Sequence, residues 1–133
     1  MKVKDYMNGR IIKCNLNDSL KDISYTMSSN NVGFLAVVDD NDNIIGVITD
    51  RDIITGPLVS NIDSIADFLN KNIISIDSEK DIEDAFYLMK KNKISRILVT
   101  IKGKYKGVLS IFDLLDNNFK DLFFDTIKEI KEY

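Results

Sequence analysis

Apolar positions along this chain alternate between two spacings. Phe34 to Val38 and Ile44 to Ile48 are β-rich runs of strand length, separated by Asp39-Asp40-Asn41-Asp42-Asn43, whose side chains favour a turn. That predicts a hairpin. Arg96 to Ile101 and Lys104 to Leu109, joined through Lys102-Gly103, predict a second one, with Gly103 supplying the positive φ of a tight turn. Elsewhere the spacing is helical. Ile82, Ala85, Phe86 and Met89 recur on one face while Lys80, Glu83, Asp84 and Lys90 fall mostly opposite, which predicts a helix over about 81–92 with Ser78 as its candidate cap. A matching helix is expected at about 19–30, and short strands at 11–13 and 73–76. After Leu115, Phe119, Leu122, Phe123, Ile127 and Ile130 form an apolar stripe, with Lys120, Asp121, Asp125, Lys128, Glu129 and Lys131 elsewhere. This is a further amphipathic helix.

The order of elements occurs twice because the chain repeats itself. At an offset of 62 residues Asp5 falls on Asp67, Asp22 on Asp84, Met27 on Met89, Asn30 on Asn92 and Val37 on Val99. The buried positions follow: Val3 meets Ile65, Tyr6 meets Phe68, Leu20 meets Ile82 and Val32 meets Ile94. Past the hairpin turn the offset drops to 61, so that Gly46, Val47, Thr49, Asp52 and Ile53 meet Gly107, Val108, Ser110, Asp113 and Leu114. A one-residue change belongs in a loop. The expected organisation is a first repeat over 1–60, a second over 61–116 and a C-terminal helix over 117–133 that serves dimerisation or packing, with Gly56-Pro57 and Ser60-Asn61 punctuating the join. Each half alone is too small to bury much surface.

Strand, helix, hairpin and the octapeptides Gly46-Val47-Ile48-Thr49-Asp50-Arg51-Asp52-Ile53 and Gly107-Val108-Leu109-Ser110-Ile111-Phe112-Asp113-Leu114 together resemble the CBS (cystathionine-beta-synthase) domain. The lead-ins Asp5-Tyr6-Met7 and Asp67-Phe68-Leu69 fit as well, and the likeness covers about residues 3 to 115. One octapeptide would be weak, since Gly, Thr and Asp abound near turns; two in matching context are specific. The Thr-Asp-Arg-Asp form looks like that of stand-alone bacterial pairs. The resemblance implies an α/β (α+β) fold of two tandem β-α-β-β-α units related by pseudo-twofold symmetry, with clefts for adenine nucleotides, and a homodimer.

The residues themselves suit that chemistry. A Thr or Ser opening a helix can donate to a phosphate, and a carboxylate one turn on can accept from the vicinal hydroxyls of a ribose. Thr49 with Asp52, and Ser110 with Asp113, have that spacing. The bland reading of the same residues is an N-cap with a favourable first-turn charge. By the resemblance, Ile12, Ile74 and their neighbours line adenine pockets, and Arg96, ahead of its strand, reaches phosphate; Phe34 stands there in the first repeat. Arg51 is a second candidate for phosphate charge, its guanidinium fork suiting the task. The family's proline before the strand valine is replaced by Ala36 and Leu98, which alters the expected pocket shape.

Composition narrows the rest. The 133 residues contain no histidine, so the side chain best placed to trade protons near neutrality is missing, and no nucleophile, base and orienting partner can be assembled in the usual way. The expectation is no enzyme and no metal site. One cysteine, Cys14, excludes an internal disulfide and fits a cytoplasmic protein. With 18 basic and 21 acidic residues interspersed, a basic face for nucleic acid is not expected, and no stretch is long and apolar enough to span a membrane. Two functions remain. One is a sensor that binds AMP, ADP, ATP, S-adenosylmethionine or another adenosyl compound as a regulatory ligand and acts in trans on an unknown regulated protein. The other is a structural dimerisation scaffold whose clefts are vestigial.

Overall fold

The computed structural model describes residues 1–130; Lys131, assigned above to the polar side of the last helix, lies outside the described residues. The architecture is mixed α+β, with two three-stranded sheets. In the first, β1 (Lys13–Asn15) runs parallel to β2 (Phe34–Val38), which pairs antiparallel with β3 (Ile44–Thr49); α1 (Leu20–Asn30) connects β1 to β2. In the second, β4 (Ser75–Asp77), α3 (Ile82–Asn92), β5 (Arg96–Ile101) and β6 (Lys104–Ser110) repeat the pattern. Between them α2 (Asp50–Ile53) follows β3, and α4 (Lys120–Ile130) ends the described chain. Both hairpins carry a register shift at the same place, Val37/Val38 and Val99/Thr100. The repetition therefore extends to an irregularity.

Local chemistry accounts for the boundaries. Ser19 caps α1, its hydroxyl accepting from the Asp22 amide at 3.1 Å, and Asn31 closes the helix in the left-handed region at φ 53°. Lys93 closes α3 in the same conformation. Asp39 holds the first hairpin turn by accepting from the amides of Asn41 and Asn43, both at 2.9 Å. The second turn uses Gly103 at φ 78°, as its sequence predicts.

Three expectations need adjustment. Ser78 does not cap α3. It is buried, its amide donating to the Thr100 carbonyl and its carbonyl accepting from the Lys4 amide, both at 2.9 Å, while Asp81 stands at the cap position. The first strands begin later than 11 and 73: ladder pairing starts at Lys13 and Ser75, although the Ile12 carbonyl already accepts from Ala36. The join at Gly56-Pro57 is helical, not a break. Ile54–Leu58 widens into a π turn around a buried Pro57, and the wider turn relieves the clash and missing N–H that proline brings to an α-helix.

The chain forms two compact units, and they do not follow the repeat order: one comprises Ile11–Ile73, the other Met1–Arg10 with Ile74 onward. Each has its own core. Cys14, Ile23, Leu35, Val37, Ile48, Ile53, Ile65 and Leu69 are among the buried residues of the first. Val3, Phe86, Met89, Ile97, Val99, Leu109, Phe119 and Phe123 belong to the second. The second unit thus contains the lead-in of the first repeat, and the first unit contains the lead-in of the second. Each lead-in closes an antiparallel bridge on a hairpin: Asn70 and Val47 exchange backbone bonds at 2.8 and 2.9 Å, and Asn8 and Val108 do so at 2.9 Å in both directions.

In the second unit α4 packs on α3. Phe119 lies between the rings of Phe86 and Tyr6, with centroids 6.0 and 5.5 Å away, and Phe123 is buried beside it. Ile127 and Ile130 pack on the same core, whereas Leu122, counted in the apolar stripe, is 39% exposed. One step of 100° per residue carries it off the buried face.

Candidate functional site

Each hairpin delivers a hydroxyl residue to the end of its last strand, where the backbone leaves extended geometry and turns helical. Thr49 (φ −112°, ψ 164°) is the N-cap of α2, and Ser110 (φ −97°, ψ 148°) is the N-cap of the 3-10 turn Ile111–Leu114. Thr49 accepts from the Asp52 amide at 3.2 Å, and Asp52 accepts from the Thr49 amide at 3.0 Å. In the second unit Ser110 accepts from the Phe112 amide at 3.2 Å, and Asp113 accepts from the Ser110 amide at 2.9 Å. These are capping boxes.

The entrance to the preceding strand ties down each cap. The Asp50 amide donates to the Gly33 carbonyl at 2.9 Å, and the Ile111 amide to the Ser95 carbonyl at 2.8 Å. A Cβ at Gly33 would stand 2.6 Å from Asp50 Oδ2, so a side chain there would displace the Asp50 carboxylate.

Strand register gathers the remaining candidates. Phe34 lies directly across from Thr49, and Arg96 directly across from Ser110. The Ile12 and Ile74 carbonyls accept from Ala36 and Leu98 at 3.0 and 3.2 Å, so both isoleucines reach the same sheet end as their caps, about 10 Å away across two strand spacings. Ile12 and Ile74 are half-buried and pack against their own cores. Their neighbours Ile11 and Ile73 are also half-buried but belong to neither core cluster. Arg96 is half-buried, its Nη1 donating to Ser95 Oγ at 3.1 Å, while Arg51 is exposed beside Asp52.

Among the matched positions at which the octapeptides differ, Arg51 in the first is Phe112 in the second. Phe34 and Arg96 differ in the opposite sense, so each cap has one arginine and one phenylalanine, in exchanged places. Sequence spacing contains this signal, but it emerges only when both repeats are laid over the observed register.

A groove of about 490 Å³ opens in the first unit on the side of α1, lined by Leu20, Met27, Val32, Asp50, Ile53 and Leu58 among others. Neither Thr49, Asp52 nor Ile12 lines it. Among the described residues no group of three or more Cys, Asp or Glu side chains is placed to hold a metal, and no helix is long and apolar enough to cross a membrane.

A doubled strand, helix and hairpin unit, each closed by a hydroxyl and carboxylate box, defines a tandem-repeat module. The chain belongs to the CBS domain family, which matches it twice, over residues 3–57 and 65–119. It is 28% identical over 117 residues to the uncharacterized protein YlbB of Bacillus subtilis, covering 85% of this chain and 79% of that one. Among solved structures it resembles the conserved CBS domain protein TA0289 of Thermoplasma acidophilum, with a TM-score of 0.81, 26% identity and coverage of 96% and 76% of the two chains. It also has the fold of the CBS domain pair of protein MJ0100, with a TM-score of 0.78, 23% identity and coverage of 86% and 96%. That pair was solved in complex with 5′-methylthioadenosine and S-adenosyl-L-methionine.

Proposed function

We propose that this protein is a regulatory module that binds an adenosine-containing ligand, self-associates as a homodimer and acts in trans on a partner, without catalysis of its own. The observation that carries the reading is the repeated cap. A hydroxyl that accepts a backbone amide through its oxygen keeps its proton for a phosphate or carboxylate, and a carboxylate that accepts one amide retains lone pairs for ribose hydroxyls. Two copies of this pairing, each with an apolar isoleucine pair about 10 Å away, match the polar and flat ends of a nucleoside. The MJ0100 pair, which shares the fold, holds two such ligands. Arg96 and Arg51 supply positive charge for phosphate, one per cap.

Isothermal titration with AMP, ATP and S-adenosylmethionine tests the reading, using Asp52→Asn and Asp113→Asn, which keep an oxygen for the cap but lose the charge. The expected result is saturable binding to at least one ligand, weakened about tenfold or more by one variant, because a hydrogen bond to a charged group contributes roughly 1.5–3 kcal/mol. Arg96→Ala is expected to weaken AMP more than adenosine. If none of the three binds at millimolar concentration to the folded protein, the reading fails and a scaffold without working clefts replaces it.

A further inference from the structure

Ser110 and Asp113 bracket Phe112, whose ring packs edge-on against Phe123 of α4 with centroids 6.4 Å apart. The same short turn places Ile111 and Leu114 in the core that contains Phe119 and Phe123. Cap and helix therefore meet through Phe112 and Phe123 and border one shared core. In the first octapeptide the matched position is Arg51, and the chain beyond α2 continues through the π turn.

We propose that α4 is the output element of the second cap, with Phe112 as the lever: what orders or loosens Ser110–Asp113 orders or loosens Lys120–Ile130. This rests on reading the cap as a ligand site only as far as the natural input is concerned; the mechanical link stands on the packing. Phe112 is 58% exposed and packs edge-on against Phe123, so its position follows the turn that bears it. A ligand engaging the Ser110 hydroxyl and the Asp113 carboxylate fixes that turn, and any preference for one α4 packing over another then appears as differential affinity.

Hydrogen exchange of the full-length protein separates the link from the input. Ser110→Ala removes the side-chain acceptor of the second cap and is expected to speed exchange of the Lys120–Ile130 amides about fivefold, the scale of a lost helix cap, while β5 and β6 amides stay within error. Thr49→Ala, the matched change in the first unit, leaves α4 unchanged. In a Phe112→Ala background, Ser110→Ala has no further effect on α4. Equal effects of Ser110→Ala and Thr49→Ala on α4, or persistence of the Ser110→Ala effect without the Phe112 ring, would overturn the proposal. Saturation with AMP or S-adenosylmethionine, whichever binds, is expected to slow α4 exchange in the wild type and not in Phe112→Ala. Binding with no change in α4 sinks the lever while leaving the ligand site standing, and absence of binding leaves the cap variants to decide the lever alone.

Discussion

A side chain that caps a turn and one that binds a ligand are read from the same residue types, and Thr49 and Ser110 carry both readings because an oxygen and its proton serve different partners. Cys14 has only one reading. It is 4% exposed within the first core, and burial, reinforced by the charge of Asp18, pushes its thiol up to about 12 from an ordinary 9.0. The folded state therefore holds the neutral thiol while the unfolded chain ionises near 9, so stability is full below pH 9 and falls as pH rises from 9 toward 12. The urea midpoint of the wild type is expected to drop between pH 8 and pH 10 by the equivalent of about 1 kcal/mol more than that of Cys14→Val, which shares every other titrating group. Equal drops would show that the thiol is not protected. The capping pairs were legible in the sequence because a box closes within four residues. Ser78 was misplaced for the opposite reason: its partners, Thr100 and Lys4, are distant in the chain, and only the fold brings them together.

At the scale of elements the two glycines that open the octapeptides have a mechanical role. A Cβ on Gly46 would run into the Leu69 side chain and stand 2.8 Å from the Asn70 carbonyl oxygen; one on Gly107 would meet the Met7 side chain and the Asn8 carbonyl oxygen at 2.6 Å. The obstacle in each case is backbone in the bridge that anchors a lead-in, so a side chain there must push the bridge apart. Gly46→Ala and Gly107→Ala are each expected to cost on the order of 2 kcal/mol by urea titration, whereas Gly9→Ala, with open space around it, costs far less. Comparable losses at all three positions would mean that the close approach is not what requires glycine. Helices and hairpins were readable because their periods are local. The seat of α4 was not, since an amphipathic stripe says that a face is buried and not against what; here it lies on α3, with Phe123 inward and Phe119 buried just ahead of it.

For the molecule as a whole, repeats and compact units are different partitions of one chain. Val3 and Ile65 hold equivalent places in their repeats, and both are fully buried, yet Val3 lies in the core with Phe86 and Leu109 while Ile65 lies in the core with Leu35 and Ile48. Self-similarity at an offset of 62 shows that both are lead-in residues, but an offset cannot tell which hairpin a lead-in joins, because either choice satisfies the same pattern of buried positions. The consequence is measurable by hydrogen exchange. Val3→Ala removes apolar volume from the second core, at a cost of roughly 2 kcal/mol, and is expected to raise exchange in Ile74–Ile130 while sparing Ile11–Ile73. Ile65→Ala, at about 3 kcal/mol, is expected to do the reverse. Loosening of each lead-in's own repeat would be the contrary result, and uniform loosening by both variants would make the chain a single cooperative unit. The crossed pattern follows from the bridges: each hairpin is completed by backbone from the other repeat, so a lesion in one repeat's lead-in is felt in the other repeat's sheet, where the corresponding cap of Ser110 or Thr49 is held.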